Sequence, residues 1–380
     1  MEKIDITIIG GGVIGLAVAA SIAGDDRDIY IFEKNGSFGQ ESSSRNSEVI
    51  HSGIYYPRDS LKKRTCIEGN RSLYDLCRAE GIPYSKLGKL IVARDDSEIS
   101  PLEELFQNGL ANGLEGLSML TKEEVAEFEP NIKGVRAIYL PMTGIIDSHS
   151  LMEYFLARAK AGGADIIYDA EVRGIEKLGD GYRVSVISES GENYEFFSRI
   201  IINCAGLNSD EISKMAGIDN DEYTLSYCKG EYFRVGNRKN LLVKMLVYPV
   251  SGPDDSSLGI HVTPDLSGGM RLGPDAEYLG SREVDYSLDP GKLDFFFESM
   301  KGFLPFLERE DLSVDTSGIR AKLQGPGEGF RDFVIRHENE AGFEGFINLM
   351  GIESPGLTAS PAIARMVKEI VDGIIFTWKW

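Results

Sequence analysis

Ile4-Asp5-Ile6-Thr7-Ile8-Ile9-Gly10-Gly11-Gly12-Val13-Ile14-Gly15 is a short apolar run that ends directly on glycines and leads into an Ala-rich stretch through Ala23. The pattern reads as strand, tight glycine turn and helix. In the spacing Gly10-x-Gly12-x-x-Gly15 the first glycine makes the turn. The second lets the backbone approach a pyrophosphate, and the third lets helix pack closely on strand, with the phosphate at the helix N-terminus beside Val13 and Ile14. Such a glycine triplet alone is weak evidence. Its context is stronger, because Asp28 to Phe32 reads as a second strand that ends in Glu33, 18 residues beyond Gly15. An acid there would bind the ribose hydroxyls and repel a 2′-phosphate.

This first unit does not separate FAD from NAD, since both use the same turn for their ADP half. Two later segments carry more. Arg199 to Asn203 is an apolar strand running into Cys204-Ala205-Gly206, with a helix expected after Asn208. Gly345 to Met350 is another strand, followed by Gly351-Ile352-Glu353-Ser354-Pro355-Gly356-Leu357-Thr358 and a helix through Val371. A glycine-rich turn feeding a helix N-terminus offers N–H groups and a positive dipole end to an electron-rich group. The N1 and O2 edge of a flavin, where negative charge gathers on reduction, is such a group. One more strand-turn-helix of the sheet is the plainer alternative, and it leaves the glycines unexplained.

The 380 residues are 42% hydrophobic and 26% charged, as in an ordinary globular protein, and the net charge is −20. That balance argues against nucleic acid, which needs a basic surface to displace counterions from phosphate. An anionic substrate would in turn need a local Arg or Lys to draw it in. Cys66, Cys77, Cys204 and Cys228 form no CxxC and no metal-ligand spacing with His, so neither a metal site nor a disulfide framework is expected. No secretory leader pattern and no apolar run of about 18 residues is visible, which predicts a cytoplasmic chain.

The segment Ser42-Ser43-Ser44-Arg45-Asn46-Ser47-Glu48-Val49-Ile50-His51-Ser52-Gly53-Ile54-Tyr55-Tyr56 resembles the L-2-hydroxyglutarate dehydrogenase/oxidase family, within the D-amino-acid-oxidase-like FAD-dependent oxidoreductases. The likeness continues in order through Gly88-Lys89-Leu90-Ile91-Val92-Ala93, Gly230-Glu231-Tyr232-Phe233-Arg234, Tyr248-Pro249-Val250, Leu258-Gly259-Ile260-His261-Val262-Thr263, Leu272-Gly273-Pro274 and Gly318-Ile319-Arg320-Ala321. It covers nearly the whole chain. Three positions depart from the family pattern: Glu48 stands where glycine is usual, Arg45 where His is common, and Arg331 in place of an acid.

The resemblance implies oxidation of L-2-hydroxyglutarate to 2-oxoglutarate, with hydride passing to flavin N5 and electrons then to oxygen or a quinone-type carrier. A glycine- or sarcosine-oxidase-like amine oxidase is the alternative. The implied FAD is non-covalent, because no cysteine follows Cys228 to form a C-terminal-side linkage. Ser43, Ser44, Arg45, Asn46 and Ser47 join the glycine turns as expected cofactor contacts, and Lys34 and Val172 complete that set. Among four histidines, His51 is the first choice for the base that takes the hydroxyl proton, since its segment is the most family-specific. His261 is its rival or a hydrogen-bond partner. Arg320 is the expected carboxylate clamp, because a guanidinium matches a carboxylate with two parallel bonds. Tyr248 and Tyr55 are further candidates, and Lys229 and Lys322 lie near the motifs without fixing a partner for a second carboxylate.

Thr121 with Glu124 marks a helix start before Lys122 to Phe128, after another short helix at Leu102 to Asn112. Alternation from Tyr223 through Leu272 predicts an antiparallel sheet with one covered face. The expected architecture is therefore α/β: a Rossmann-like FAD-binding domain, a doubly wound parallel sheet assembled from residues 1–85, 145–220 and 319–380. Into it is inserted an α+β substrate domain on a mainly antiparallel sheet, from 86–144 and 221–318. The terminal Ile374-Ile375-Phe376-Thr377-Trp378-Lys379-Trp380 sets aromatics beside Lys, which allows a peripheral membrane contact, with a packed helix end as the plainer reading.

Overall fold

Strands of a parallel sheet covered on both faces must be apolar throughout, and the first segment meets that demand. Ile6, Thr7 and Ile8 are fully buried, as are Ile200, Ile201 and Ile202 and Phe346 and Ile347. In the computed structural model, which describes residues 2–24, 27–250 and 259–378 (377 and 378 by backbone alone), these residues form the middle of an eight-stranded sheet. Asp165–Ile167, Ile29–Phe32, Glu2–Ile9, Asn193–Asn203 and Phe346–Met350 lie side by side and all parallel. The hairpin Ala170–Lys177 with Tyr182–Ser188 adds antiparallel strands against the first half of Asn193–Asn203, and Val334–His337 pairs antiparallel with Phe346–Met350. The helix Val13–Ile22 packs against the helices Ser148–Ala161 and Gly356–Trp378. These segments make one compact unit, Met1–Ser44 with Ser148–Ser226 and Ala321–Trp380.

The second unit comprises Arg45–Asp147 and Tyr227–Arg320. Its centre is a nine-stranded sheet in the order Glu277–Tyr278, Ser226–Val235, Met270–Leu272, Val262–Pro264, Leu246–Pro249, Lys89–Ala93, Arg136–Leu140 and Ser118–Thr121, with Leu312–Lys322 also on Ser226–Val235. Along that order of eight strands the pairing is antiparallel except between Leu246–Pro249 and Lys89–Ala93. Side chains alternate across a strand. Leu90, Val92, Val247, Val262, Leu272 and Phe233 accordingly share one face, packed with Phe296 and Met300 of the helix Leu293–Lys301. Lys89, Ile91, Tyr248, His261, Thr263 and Tyr232 fall by register on the other.

This division differs from the expected one at one border: residues 45–85 belong to the second unit. Val49–Ile50 and Tyr84–Ser85 both pair antiparallel with Gly144–Ile146, and the intervening helix Leu61–Glu80 sends Asn70 and Tyr74 to the carbonyl of Met142. The other borders fall at 147/148, 226/227 and 320/321. The helix expected at Leu102 to Asn112 spans Ile99–Ala111, and Lys122–Phe128 carries the reciprocal Thr121–Glu124 cap. The last helix runs to Trp378, past the expected end at Val371. Phe376 is exposed, while the side chains of Thr377 and Trp378, and Lys379 and Trp380 entirely, lie outside the described residues, so the terminal aromatics carry no structural argument. Among the described residues no helix is long and apolar enough to cross a membrane.

Candidate active site

Register brings the sequence-predicted turns of the first unit together. Ile9 is opposite both Phe32 and Asn203, and Asn203 is opposite Asn348, so Gly10–Gly15, Glu33, Cys204–Gly206 and Gly351 all follow the carboxyl ends of adjacent parallel strands. That edge is where open α/β sheets take their ligands. The glycines there are required by contact. A β-carbon on Gly10, whose φ is 107°, would strike the carbonyl of Cys204, and one on Gly15 would strike the carbonyl of Gly10. One on Gly12 would lie 2.9 Å from Ser43 Oγ, the atom that accepts the Val13 N–H at 3.0 Å. The first backbone bond of the helix is Leu16 N–H to Gly12, which leaves Ile14 and Gly15 in the donor-rich first turn. Glu33 is buried and accepts the Gly11 N–H at 2.7 Å and both the backbone and side-chain N–H of Asn35. Gly206 and Gly351 have φ of 53° and 64°, and the chain then passes Ile352 and Pro355 into the helix that begins with Gly356, Leu357 and the buried Thr358.

The remaining expected cofactor contacts are placed as follows. Lys34 pairs with Glu41 at 2.7 Å, and the Ser44 hydroxyl donates to the carbonyl of Glu41. Val172 sits at a β-bulge, where one extra residue turns the strand. Arg45, Asn46 and Ser47 belong to the second unit. Arg45 lies over the ring of Tyr286 at 3.8 Å, Asn46 accepts the Glu48 N–H at 2.7 Å, and Ser47 shares a 2.6 Å hydrogen bond with Tyr232. Arg331 donates to the carbonyl of Glu222.

Glu48, one of the departures, has a φ of 57°. A left-handed backbone costs a residue with a β-carbon about 1–2 kcal/mol, which gives a physical reason for glycine at this place. Glu48→Gly is expected to raise stability by about 0.5–1 kcal/mol after the added chain entropy of glycine is counted. A urea midpoint that falls instead would show that the carboxylate contributes more than the strain removes.

The second unit holds the expected chemical residues. Three asparagines fix the His51 to Tyr56 loop by its carbonyls: Asn70 donates to His51 at 2.9 Å, Asn108 to Ile54 at 2.6 Å, and Asn112 to Tyr56 at 3.0 Å. His261 is buried and stacks on Tyr248 with ring centroids 3.7 Å apart. Its Nδ1 is 2.8 Å from the carbonyl of Gly259, so Nδ1 carries the proton and Nε2 the lone pair. Arg320 donates to the carbonyls of Asp275, Cys228 and Lys229, with no carboxylate on it among the described residues. Lys229 is paired with Asp285 at 3.1 Å.

Sequence reasoning missed Lys89 as a functional candidate. It is 1% exposed in a strand whose other residues are fully buried, and its ammonium lies 4.0 Å from the ring centre of Tyr248 and 5.1 Å from that of Tyr55. Burial lowers it to about 7. His51 is held well below the ordinary histidine value by loss of solvent, then by Lys89 and His261. His261 is lowered to about 3, chiefly by burial, with Lys89 and Arg320 adding to it against the Gly259 hydrogen bond. Both imidazoles are therefore neutral at physiological pH, able to accept a proton. A lysine inside the apolar string Lys89-Leu90-Ile91-Val92-Ala93 was the available signal.

Glycine turns at the carboxyl ends of parallel strands, with a buried acid after the second strand, make the dinucleotide cradle of a nucleotide-dependent oxidoreductase. The chain belongs to the FAD dependent oxidoreductase family, whose pattern matches residues 5–370, and within it to the L-2-hydroxyglutarate dehydrogenases. It is 36% identical to the mitochondrial L-2-hydroxyglutarate dehydrogenase of Arabidopsis thaliana over 96% of this chain and 83% of that one. It is 32% identical to a glycerol 3-phosphate dehydrogenase of Caloramator mitchellensis, over 97% and 74%. The solved L-alpha-glycerophosphate oxidase of Mycoplasma pneumoniae, with FAD bound, superposes with a TM-score of 0.87 at 29% identity, covering 98% of this chain and 95% of that one. FAD suits the residues present: Gly10, Gly12 and Gly15 leave the room that a β-carbon would fill, and Glu33 stands at the end of the second strand.

Proposed function

We propose that the chain oxidises L-2-hydroxyglutarate to 2-oxoglutarate. The observation that carries this reading is that Lys89, sealed against the Tyr248 ring on which His261 stacks, and Arg320, held by three backbone carbonyls, have no carboxylate partner among the described residues. A chain of net charge −20 would not keep Lys89 unpaired in its interior unless an anion arrives to meet it. Curated relatives at 36% and 32% identity carry the matching activity in their names. Arg320, fixed by three carbonyls, presents its guanidinium to the carboxylate next to the hydroxyl. His51, neutral and held by Asn70 through its carbonyl, takes the hydroxyl proton as the carbon–hydrogen bond gives up its electron pair. His261 offers its Nε2 lone pair as a second acceptor and orients the hydroxyl. The Gly10–Gly15 turn, Glu33 and the Gly351–Thr358 turn would hold FAD without a covalent link, and the flavin would supply the hydride acceptor.

A second reading, oxidation of sn-glycerol 3-phosphate, is favoured by the likeness to the Caloramator enzyme and the Mycoplasma oxidase. It uses the same proton acceptor on a secondary alcohol with a phosphate in place of the carboxylates. Anaerobic addition of L-2-hydroxyglutarate, D-2-hydroxyglutarate, sn-glycerol 3-phosphate, L-lactate and sarcosine to the flavoprotein separates the readings by bleaching of the visible flavin band. Rapid bleaching by L-2-hydroxyglutarate and not by its D isomer is the expected result. Bleaching by sn-glycerol 3-phosphate alone makes the second reading the function, and bleaching by sarcosine makes the chain an amine oxidase. Reoxidation by oxygen against a soluble quinone then identifies the acceptor, for which oxygen or a quinone-type carrier is proposed.

A further inference from the structure

Two lysines of the second unit are answered by carboxylates: the buried Lys229 by Asp285 at 3.1 Å, and the half-buried Lys292 by Glu231, Asp275 and Glu277 at 2.7, 2.9 and 2.7 Å. Lys89 differs from both. Its ammonium is sealed from water and has two tyrosine rings for company, with no carboxylate paired to it among the described residues. Ring faces attract a cation but do not replace its hydration. The hydroxyls of Tyr55 and Tyr248 and that of Thr263 are buried too, Tyr248 and Thr263 next to each other and neither in a hydrogen bond of normal geometry. Buried hydroxyls usually have partners. A buried cation between two hydroxyl-bearing rings, with no carboxylate on it among the described residues, is the complement of an oxyanion.

We infer that Lys89, with the hydroxyls of Tyr55 and Tyr248, is the subsite for the second acidic group of the substrate. This rests on the reading of an anionic hydroxy compound given above. Arg320 takes the first acidic group, and His261, stacked on the same Tyr248 ring that Lys89 faces, meets the hydroxyl-bearing part of the dianion. Lys229, the other nearby lysine, is already occupied by Asp285. An anion entering this place restores to Lys89 the partner it lacks, so the ammonium becomes more basic on binding. The titratable groups that face it are Cys66, Tyr55, Tyr248, His51 and His261, none of them anionic at neutral pH.

The test compares wild-type holoenzyme with Lys89→Met and Lys89→Arg on two substrates that differ only in the second acid, L-2-hydroxyglutarate and L-2-hydroxybutyrate. Lys89→Met is expected to lose about a hundredfold or more in kcat/KM with the dicarboxylate and less than about threefold with the monocarboxylate, with part of the loss restored in Lys89→Arg. Because removal of an unpaired buried charge relieves the fold, Lys89→Met is also expected to melt at a higher temperature than wild type. Equal losses on both substrates would overturn the inference and leave Lys89 acting on the histidines. If wild type is reduced by sn-glycerol 3-phosphate and not by L-2-hydroxyglutarate, the substrate reading fails by itself. The comparison then runs with sn-glycerol 3-phosphate against glycerol, and an unchanged phosphate preference in Lys89→Met overturns the subsite.

Discussion

Gly15→Val is expected to give a protein that purifies with less than about a tenth of the flavin of wild type, or that fails to accumulate in folded form. The β-carbon alone would collide with the carbonyl of Gly10, a backbone atom that cannot swing aside as a side chain can. Gly10 itself sits at φ 107° against the carbonyl of Cys204, so the turn has no free side to retreat into. Helix and strand must then separate, and the helix N-terminus moves away from where it would meet the phosphates of the proposed FAD. Gly179→Ala is the control, because nothing lies within 4 Å of a β-carbon there. The ratio of flavin to protein absorbance reads the result directly. Full flavin occupancy in Gly15→Val would mean that the turn does not carry the cofactor.

The same turn shows why the parallel half of the fold was legible. Gly10, Gly12, Gly15 and Glu33 are close in sequence, and each answers to a local contact, the glycines to Cys204, Ser43 and Gly10 and Glu33 to the Gly11 N–H, so spacing alone conveys the geometry. The border at Ser44 was not legible in this way. The helix Leu61–Glu80 shows an apolar face at Cys66, Leu73, Tyr74 and Cys77, but periodicity says only that a face is buried and not against which partner. That choice is made by Met142 and by the Gly144–Ile146 strand, about 70 residues away along the chain. Lys89 was hidden for a related reason. Its strand looks like ordinary core, and its two tyrosines come from Tyr55 and from Tyr248 on a strand that pairs with it in parallel across 157 residues of sequence. His51 and Arg320 are expected from the resemblance, whereas the asparagines that hold the His51 loop, Asn70, Asn108 and Asn112, are unremarkable polar residues on or at the end of helices until the loop is seen beside them.

His51→Ala is expected to slow flavin reduction by L-2-hydroxyglutarate about a thousandfold while flavin content stays that of wild type, since removal of a general base costs about 10²–10⁴ in rate. Its pH dependence separates a base from a packing residue. Burial, Lys89 and His261 hold His51 below the ordinary histidine value, so it stays neutral as pH falls through about 6.5, where a free imidazole would charge. Wild-type kcat/KM should therefore show its acid limb well below 6.5, and that limb should vanish in His51→Ala. On the alkaline side Lys89 loses its charge in the free enzyme above about 7, and kcat/KM for the dianion declines there. Stability runs by the same linkage. Each of these groups has a folded pKa below its unfolded one, so the unfolded chain binds more protons in the window between the two values. The histidines thus contribute stability that is present above about 6.5 and lost as pH falls toward the folded value, about 3 for His261. Lys89 makes the fold gain stability from about 7 up to its unfolded value of about 10.4. Undiminished reduction in His51→Ala, with the acid limb intact, would transfer the base to His261. The tautomer fixed by Gly259 already leaves Nε2 of that residue free to accept a proton, and His261→Ala would then show the thousandfold loss in its place.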